Sequence, residues 1–268
     1  VGSGKTIVAA FCSLQILLNN KQVAIMAPTE ILAEQHRLNF LEWLSPFKYQ
    51  IDLLSSKVKG KLREEVYQKI EDGSTQVIIG THALFQENVK YSSLGLVIID
   101  EQHRFGVNQR LTLLKTRFNG PNDFKIIPNQ LVMTATPIPR TLTLAAYGDM
   151  DVSRLTEKPA GRQPIETTLI DVTRIDEVLA GLKRQIEKKS RIYWVCPLVE
   201  ESEMLDLAAA EARFEDLKAV FGARVGLVHG KMKPTDKDKV MSQFQAADIE
   251  VLVSTTVIEV GVNVPEAT

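Results

Sequence analysis

The chain has 268 residues, a formal net charge of -1, 44% hydrophobic and 24% charged residues. That composition excludes a disordered tail, a collagen-like repeat and a histone-like polycation. Two cysteines, Cys12 and Cys196, are too few for a disulfide framework, and no apolar run approaches the ~20 residues that span a bilayer. Both cysteines sit in apolar stretches, so they read as small buried side chains in a reducing cytosol. At ~100–200 residues per domain, the length fits one large domain or two modest ones.

The predicted elements alternate. Lys5–Leu18 reads as an amphipathic helix, Gln22–Ala27 as a strand and Glu30–Leu44 as a helix punctuated at its start by Pro28-Thr29. Ile51–Leu54 follows as a short strand, Val58–Glu71 as a charged helix and Gln76–Ile79 as a strand after the turn Asp72-Gly73-Ser74. Leu94–Ile99 is a continuous apolar run, as expected of a strand covered on both faces. Gln130–Met133 reads as another strand and Pro139–Tyr147 as a helix. Glu157–Pro164 contains two prolines and a glycine and reads as a linker. The alternation then restarts: strand Glu166–Asp171, helix Arg174–Lys188, strand Arg191–Cys196 and helix Glu203–Val220. Strand Val225–Val228, helix Thr235–Gln245 and strand Glu250–Ser254 complete it. Strands alternating with helices imply parallel sheets with crossover connections. The expected layout is a first α/β domain over 1–156, a linker over 157–164 and a smaller second α/β domain over 165–268. Residues 1–159 carry 18 Lys/Arg against 15 Asp/Glu, and residues 160–268 carry 14 against 18, an asymmetry too mild to assign a partner.

Gly2-Ser3-Gly4-Lys5-Thr6 matches the end of the phosphate-binding loop G-x-x-x-x-G-K-[ST]. Glycines let backbone N–H groups wrap a phosphate, and the following helix turns its positive end toward it. Lys5 suits the β- and γ-phosphates and the Thr6 hydroxyl suits Mg²⁺. The bland alternative is a glycine turn that starts a helix. Val97-Ile98-Ile99-Asp100-Glu101 sets two carboxylates at the end of a buried strand. Asp100 suits Mg²⁺ and Glu101 suits a general base on the attacking water. Together with Lys5, this pair points to hydrolysis of a nucleoside triphosphate.

Asp100-Glu101-Gln102-His103 is a DEx[HD] box, and other stretches follow in the order of the superfamily two helicases and translocases. Ala27-Pro28-Thr29-Glu30 resembles motif Ia, Gly80-Thr81-His82 motif Ib, Thr134-Ala135-Thr136-Pro137 motif III, and Ser254–Val262 motif V. The longer stretches Asp100–Val107, Met133–Leu142, Ala27–His36, Tyr193–Leu198 and His229–Pro234 resemble the RecG family of bacterial branch-migrating DNA helicases. Transcription-repair coupling translocases share this branch but usually read D-E-E-H, so Gln102 favours RecG.

The resemblance implies two tandem RecA-like domains with mainly parallel sheets, using ATP and Mg²⁺. It implies nucleotide contact by Gly2, Ser3, Gly4, Lys5, Thr6 and Asn263, with Thr6 and Asp100 toward the metal. It assigns coupling of hydrolysis to movement to Gln102, His103, Thr134 and Thr136. It assigns DNA-backbone contact to Thr29, Thr81, His82, His229 and Thr255, whose short donors suit phosphate oxygens. Thr29 equally suits an N-cap, and His229 an ordinary polar turn. Trp43 and Trp194 fall in apolar patterns and read as core residues. Lys57, Lys59 and Lys61 read as a solvated face. The expected partner is forked or branched duplex DNA, including Holliday junctions, for a cytoplasmic bacterial monomer. A non-hydrolysing DNA-binding switch is the other-class alternative, opposed by the combination of Lys5, Asp100 and Glu101.

Two departures matter. Asn263 stands where the family has an acid. The stretch also opens inside a phosphate loop and stops before the arginine-bearing motif VI, as expected of a piece of a longer protein. Residues 1–268 alone are therefore expected to hydrolyse little ATP, because charge on the transition state lacks its arginines.

Overall fold

The computed structural model describes residues 2–55, 58–86, 88–101, 118–119, 125–135, 151–157, 165–196, 203–255, 264 and 267. It divides into two compact units, Val1–Gln163 and Pro164–Thr268.

The first unit is built on a five-stranded sheet. Its strands are β1 (Gln22–Met26), β2 (Ile51–Leu54), β3 (Val77–Gly80), β4 (Leu94–Ile99) and β7 (Asn129–Val132), in the order β2-β3-β1-β4-β7. All four pairings are parallel, with Met26 opposite both Gly80 and Ile99, and Ile99 opposite Val132. The central strand β1 is buried along its whole length. Its first residue is a glutamine, and its amide is fully used: Nε2 donates to the carbonyls of Ile70 and Thr75, and Oε1 accepts from Ser93 N. Ala24, Met26, Ile78, Val97 and Ile99 join Leu54, Ile70 and Leu84 in one apolar cluster. Helices α1 (Lys5–Leu17), α2 (Glu30–Leu44) and α3 (Lys61–Glu71) supply the crossovers. Helix α3 starts later than the periodicity predicts, because Gly60 at φ 56 turns the chain and its carbonyl accepts from Arg63 N and Glu64 N. A two-residue antiparallel pair, β5 (Phe118–Asn119) with β6 (Lys125–Ile126), has no counterpart in the sequence reading.

The second unit has a parallel sheet of β8 (Ile192–Val195), β9 (Val225–Val228) and β10 (Val251–Ser254), in the order β8-β10-β9. Helices Ile175–Glu187, Glu203–Phe221 and Pro234–Gln245 accompany it. Ile192, Val251 and Val253 pack with Ile186, Leu217 and Phe221, while Tyr193 meets Phe244 edge-on at 4.9 Å. Both units are thus α/β with parallel sheets, as the alternation predicts.

One predicted strand is absent. Glu166–Asp171 forms no strand, and its side chains are exposed, Leu169 completely. Its threonines and the pair Leu169-Ile170 favour an extended chain, but no strand among the described residues pairs with it, and a strand exists only through hydrogen bonds to a neighbour. The predicted helix Pro139–Tyr147 and linker residues 158–164 lie outside the described residues.

Candidate nucleotide site and nucleic-acid contacts

In a parallel sheet the carboxyl ends of all strands share one edge. Thr29 lies just beyond β1, Thr81 directly follows β3, Asp100 directly follows β4 and Thr134 lies just beyond β7. The ladder continues past the strand ends at this edge: Ala27 N donates to Gly80 O, Asp100 N to Met26 O, and Met133 N to Ile99 O, at 2.8–2.9 Å. Adjacent strands lie about 4.8 Å apart, so these residues form a compact row. Helix α1 reaches the same edge. A Cβ added at Gly95, near the start of β4, would meet Ile16 near the end of α1 at 3.0 Å. From there β4 climbs to Asp100 at about 3.3 Å per residue, while α1 runs back to Lys5 at about 1.5 Å per residue. The two distances match, so the phosphate-loop residues and the acidic pair belong to one edge.

Gly4 takes φ 86 as the N-cap of α1, with no side chain capping the first turn and no acid within it. Gly2 also has positive φ, at 75. Glycine adopts such angles without steric cost. Gly2 and Gly4 are exposed, and Ser3, Lys5 and Thr6 are half-buried. An uncapped helix end of this kind suits an anion.

Asp100 is 9% exposed. Its Oδ1 accepts from Glu101 N at 3.0 Å, and its Oδ2 lies 2.8 Å from His36 Nε2. Because a carboxylate only accepts, the hydrogen of that second bond sits on the imidazole. His36 closes the Ala27–His36 stretch that carries the family resemblance, but no role is assigned to it there. Yet Leu32, His36, Phe40 and Leu44 are buried at four-residue intervals along α2, and a histidine on a buried helical stripe needs a partner. Glu101 has φ 47 and is half-buried. Its Oε2 accepts from Ala135 N at 3.2 Å, which ties the second acid to the motif III stretch beyond β7. Thr134 is half-buried beside it.

The expected DNA-contact residues separate by surroundings. The Thr29 hydroxyl accepts from Leu32 N at 3.3 Å, so it does cap α2. Thr81 is buried, and His82 stands exposed at the start of a short 3-10 turn. In the second unit His229 directly follows β9 and Thr255 directly follows β10, again at a carboxyl edge. His229 is half-buried with its Nδ1 unpartnered among the described residues, and Thr255 is buried. Gln102, His103, Thr136 and Asn263 lie outside the described residues.

Trp43 and Trp194 are half-buried rather than fully enclosed; Trp43 packs near Phe40 and Trp194 lies under the Arg213 guanidinium. Cys12 and Cys196 are free and half-buried. Burial, countered in part by Arg213, pushes the Cys196 thiol up, which keeps it protonated. Lys59 and Lys61 are exposed, and Lys57 lies outside the described residues. No described helix is long and apolar enough to cross a membrane.

Comparison with known proteins agrees with this arrangement. The DEAD/DEAH box helicase family matches residues 1–144, and the helicase conserved C-terminal domain matches residues 172–268. The ATP-dependent DNA helicase RecG of Haemophilus influenzae is 53% identical over 269 residues, and that of Escherichia coli K12 51% identical over 270. Each match covers 100% of this chain and 38% of the relative, so the chain spans well under half of the RecG proteins it resembles. A solved structure of RecG bound to a three-way DNA junction aligns with TM-score 0.78 and 38% identity over 100% of this chain and 34% of that one. Yeast Dbp5 bound to RNA and ADP BeF3 aligns with TM-score 0.67 at 16% identity over 100% of this chain and 66% of that one, which shows the shared fold of two RecA-like domains. With Thr29, Thr81, the Asp100-Glu101 pair and Thr134 on one edge of a parallel sheet, the chain belongs to the DEAD/DEAH box helicase family and is RecG-like along its whole length.

Proposed function

We propose that this chain is the motor of a RecG-like ATP-dependent DNA helicase, which couples ATP hydrolysis to movement on duplex DNA. Its tasks are fork reversal and branch migration of Holliday junctions in recombination and repair. The observation that carries the reading is the Asp100–Glu101 pair at the end of β4, with Asp100 buried and Glu101 tied through Ala135 N to the motif III stretch. A hydrolytic acid bonded to the neighbouring strand's loop lets the state of the nucleotide bear on the rest of the motor.

The donor set at this edge fits a magnesium nucleotide. Asp100 and Thr6 offer hard oxygens, and Gly2–Thr6 offers backbone N–H groups and the Lys5 ammonium. Mg²⁺ would spread the charge of the β- and γ-phosphates. Lys5 binds the same phosphates. Glu101 orients the attacking water and takes its proton. Thr29, Thr81, His82, His229 and Thr255 contact the DNA backbone without reading sequence. The domain layout is 1–156 and 165–268, joined by 157–164. Gln102, His103, Thr134 and Thr136 are assigned to linking hydrolysis to movement, and Asn263 to nucleotide contact.

The test is phosphate release by the full-length protein with and without a forked duplex, beside gel-resolved junction unwinding. DNA-stimulated turnover with unwinding is expected. Nucleotide binding without hydrolysis would replace the motor by a passive DNA-binding switch.

A further inference from the structure

We propose that His36 is the positioning residue of the magnesium site: its Nε2–H holds the Asp100 carboxylate in the orientation that receives the metal. The inference rests on the reading of Asp100 as the Mg²⁺-facing acid.

The geometry is specific. His36 and Asp100 are 5% and 9% exposed, so their 2.8 Å bond lies out of water, where it is electrostatically stronger than at the surface. The bond bridges α2 and the end of β4, whereas the other Asp100 contact, Glu101 N, is a neighbour in the chain. A carboxylate held only by its own next amide can still swing about its χ angles. A second bond, from another element, removes that freedom. Each oxygen keeps a lone pair for a metal or its water, because a carboxylate offers about four acceptor sites.

The pairing is poor value as packing. His36 occupies a stripe whose other members are Leu32, Phe40 and Leu44, where an aliphatic side chain would bury cleanly. Instead, Nδ1 is buried with no partner among the described residues. Leaving a buried polar atom unsatisfied lowers stability. Such a local violation is expected where a side chain serves a site rather than the core. Helix α2 is itself firmly set: Thr29 caps its first turn, and Ala33 and Phe40 are fully buried along it. The imidazole is therefore presented from a rigid element.

Hydrogen-bonded partners of metal-binding side chains typically change metal affinity by about 10–100-fold when replaced. The test uses the full-length protein and equilibrium binding of a fluorescent, non-hydrolysable ATP analogue, titrated with Mg²⁺. Two variants are matched in polarity. His36→Gln can place an N–H near the position of Nε2, whereas His36→Asn is too short to reach Asp100. For His36→Asn the Mg²⁺ concentration at half-maximal enhancement of binding should rise about tenfold or more. For His36→Gln it should stay within about twofold of wild type. Binding in excess EDTA should be unchanged in both.

Asp100→Asn is the reference arm and should lose the Mg²⁺ enhancement. If it loses the enhancement while His36→Asn behaves as wild type, His36 is a packing residue and the inference fails alone. Equal shifts in the Asn and Gln variants also overturn it, because the donor is then irrelevant. Wild-type Mg²⁺ dependence in Asp100→Asn overturns both the inference and the reading beneath it. If melting shows that His36→Asn does not fold, the Gln variant decides: a wild-type titration supports the proposal, and a tenfold shift refutes it.

Discussion

Glu101 sits at φ 47, a left-handed backbone conformation that costs a side-chain-bearing residue about 1–3 kcal/mol. That twist turns the second acid away from the first, so Asp100 points back to His36 while Glu101 reaches Ala135 N. Adjacent residues thus serve different neighbours. Glu101→Gln keeps size and polarity and removes only the base. Hydrolysis should fall by about 10²–10⁴ while ATP-analogue affinity stays within a few fold; a parallel fall in both would make Glu101 a binding residue. Lys5→Ala removes the ammonium from the phosphate loop and should weaken ATP binding and abolish fork unwinding, measured by analogue titration and gel assay; normal ATPase would refute the loop assignment. Lys5, Asp100 and Glu101 were legible in the sequence because their chemistry is packed into contiguous motifs. His36 was not, because its partner lies 64 residues away and only the fold brings them together. Its place on the apolar stripe of α2 was the available signal.

Helices and strands divide their labour at the carboxyl edge. Helix α2 makes the point, since Thr29 at its start both caps it and stands where DNA contact is proposed. Thr29→Ala should cost about 1 kcal/mol of stability, read from chemical denaturation. Thr29→Asp retains a capping oxygen and so should keep that stability, yet a carboxylate facing phosphate should raise the DNA concentration for half-maximal ATPase about tenfold or more. Unchanged DNA dependence in Thr29→Asp would leave capping as its whole role. Strand β3 ends on Gly80, where an added Cβ would run into the backbone carbonyl of Leu54 on β2. Gly80→Ala must push the two strands apart and should cost about 1–3 kcal/mol in the same assay, with Thr81 and His82 displaced; a wild-type midpoint would show that the edge can yield. Strands buried on both faces, such as Leu94–Ile99, were fully legible, because burial writes a continuous apolar run. Glu166–Asp171 misled for the opposite reason. A short run of Thr, Leu and Ile describes what one strand could do, and says nothing of whether a partner edge is present.

At the scale of the molecule, two α/β units carry separate parallel sheets. Residues 151–157 and 165–171 are exposed and without regular secondary structure, which supports the proposed division at 157–164. Brief trypsin treatment should therefore cut first in this stretch, at the exposed Arg154. Mass spectrometry that found earlier cuts inside either sheet would move the boundary. The first sheet has a further consequence for how the chain is made. Of its five described strands, β1 comes first in the chain and third in the sheet order, where Val23 waits for Val77 on one side and Leu96 on the other. During synthesis its apolar run Val23–Met26 must therefore leave the ribosome before either of these two partners, at a rate of about 5–20 residues per second. Until β3 and β4 emerge, that run is open to wrong partners, and the proposed phosphate loop ahead of it has no acidic pair to face. A nucleotide held as proposed cannot steady this sheet until Asp100 has emerged, so until then the nascent chain depends on speed or on chaperones.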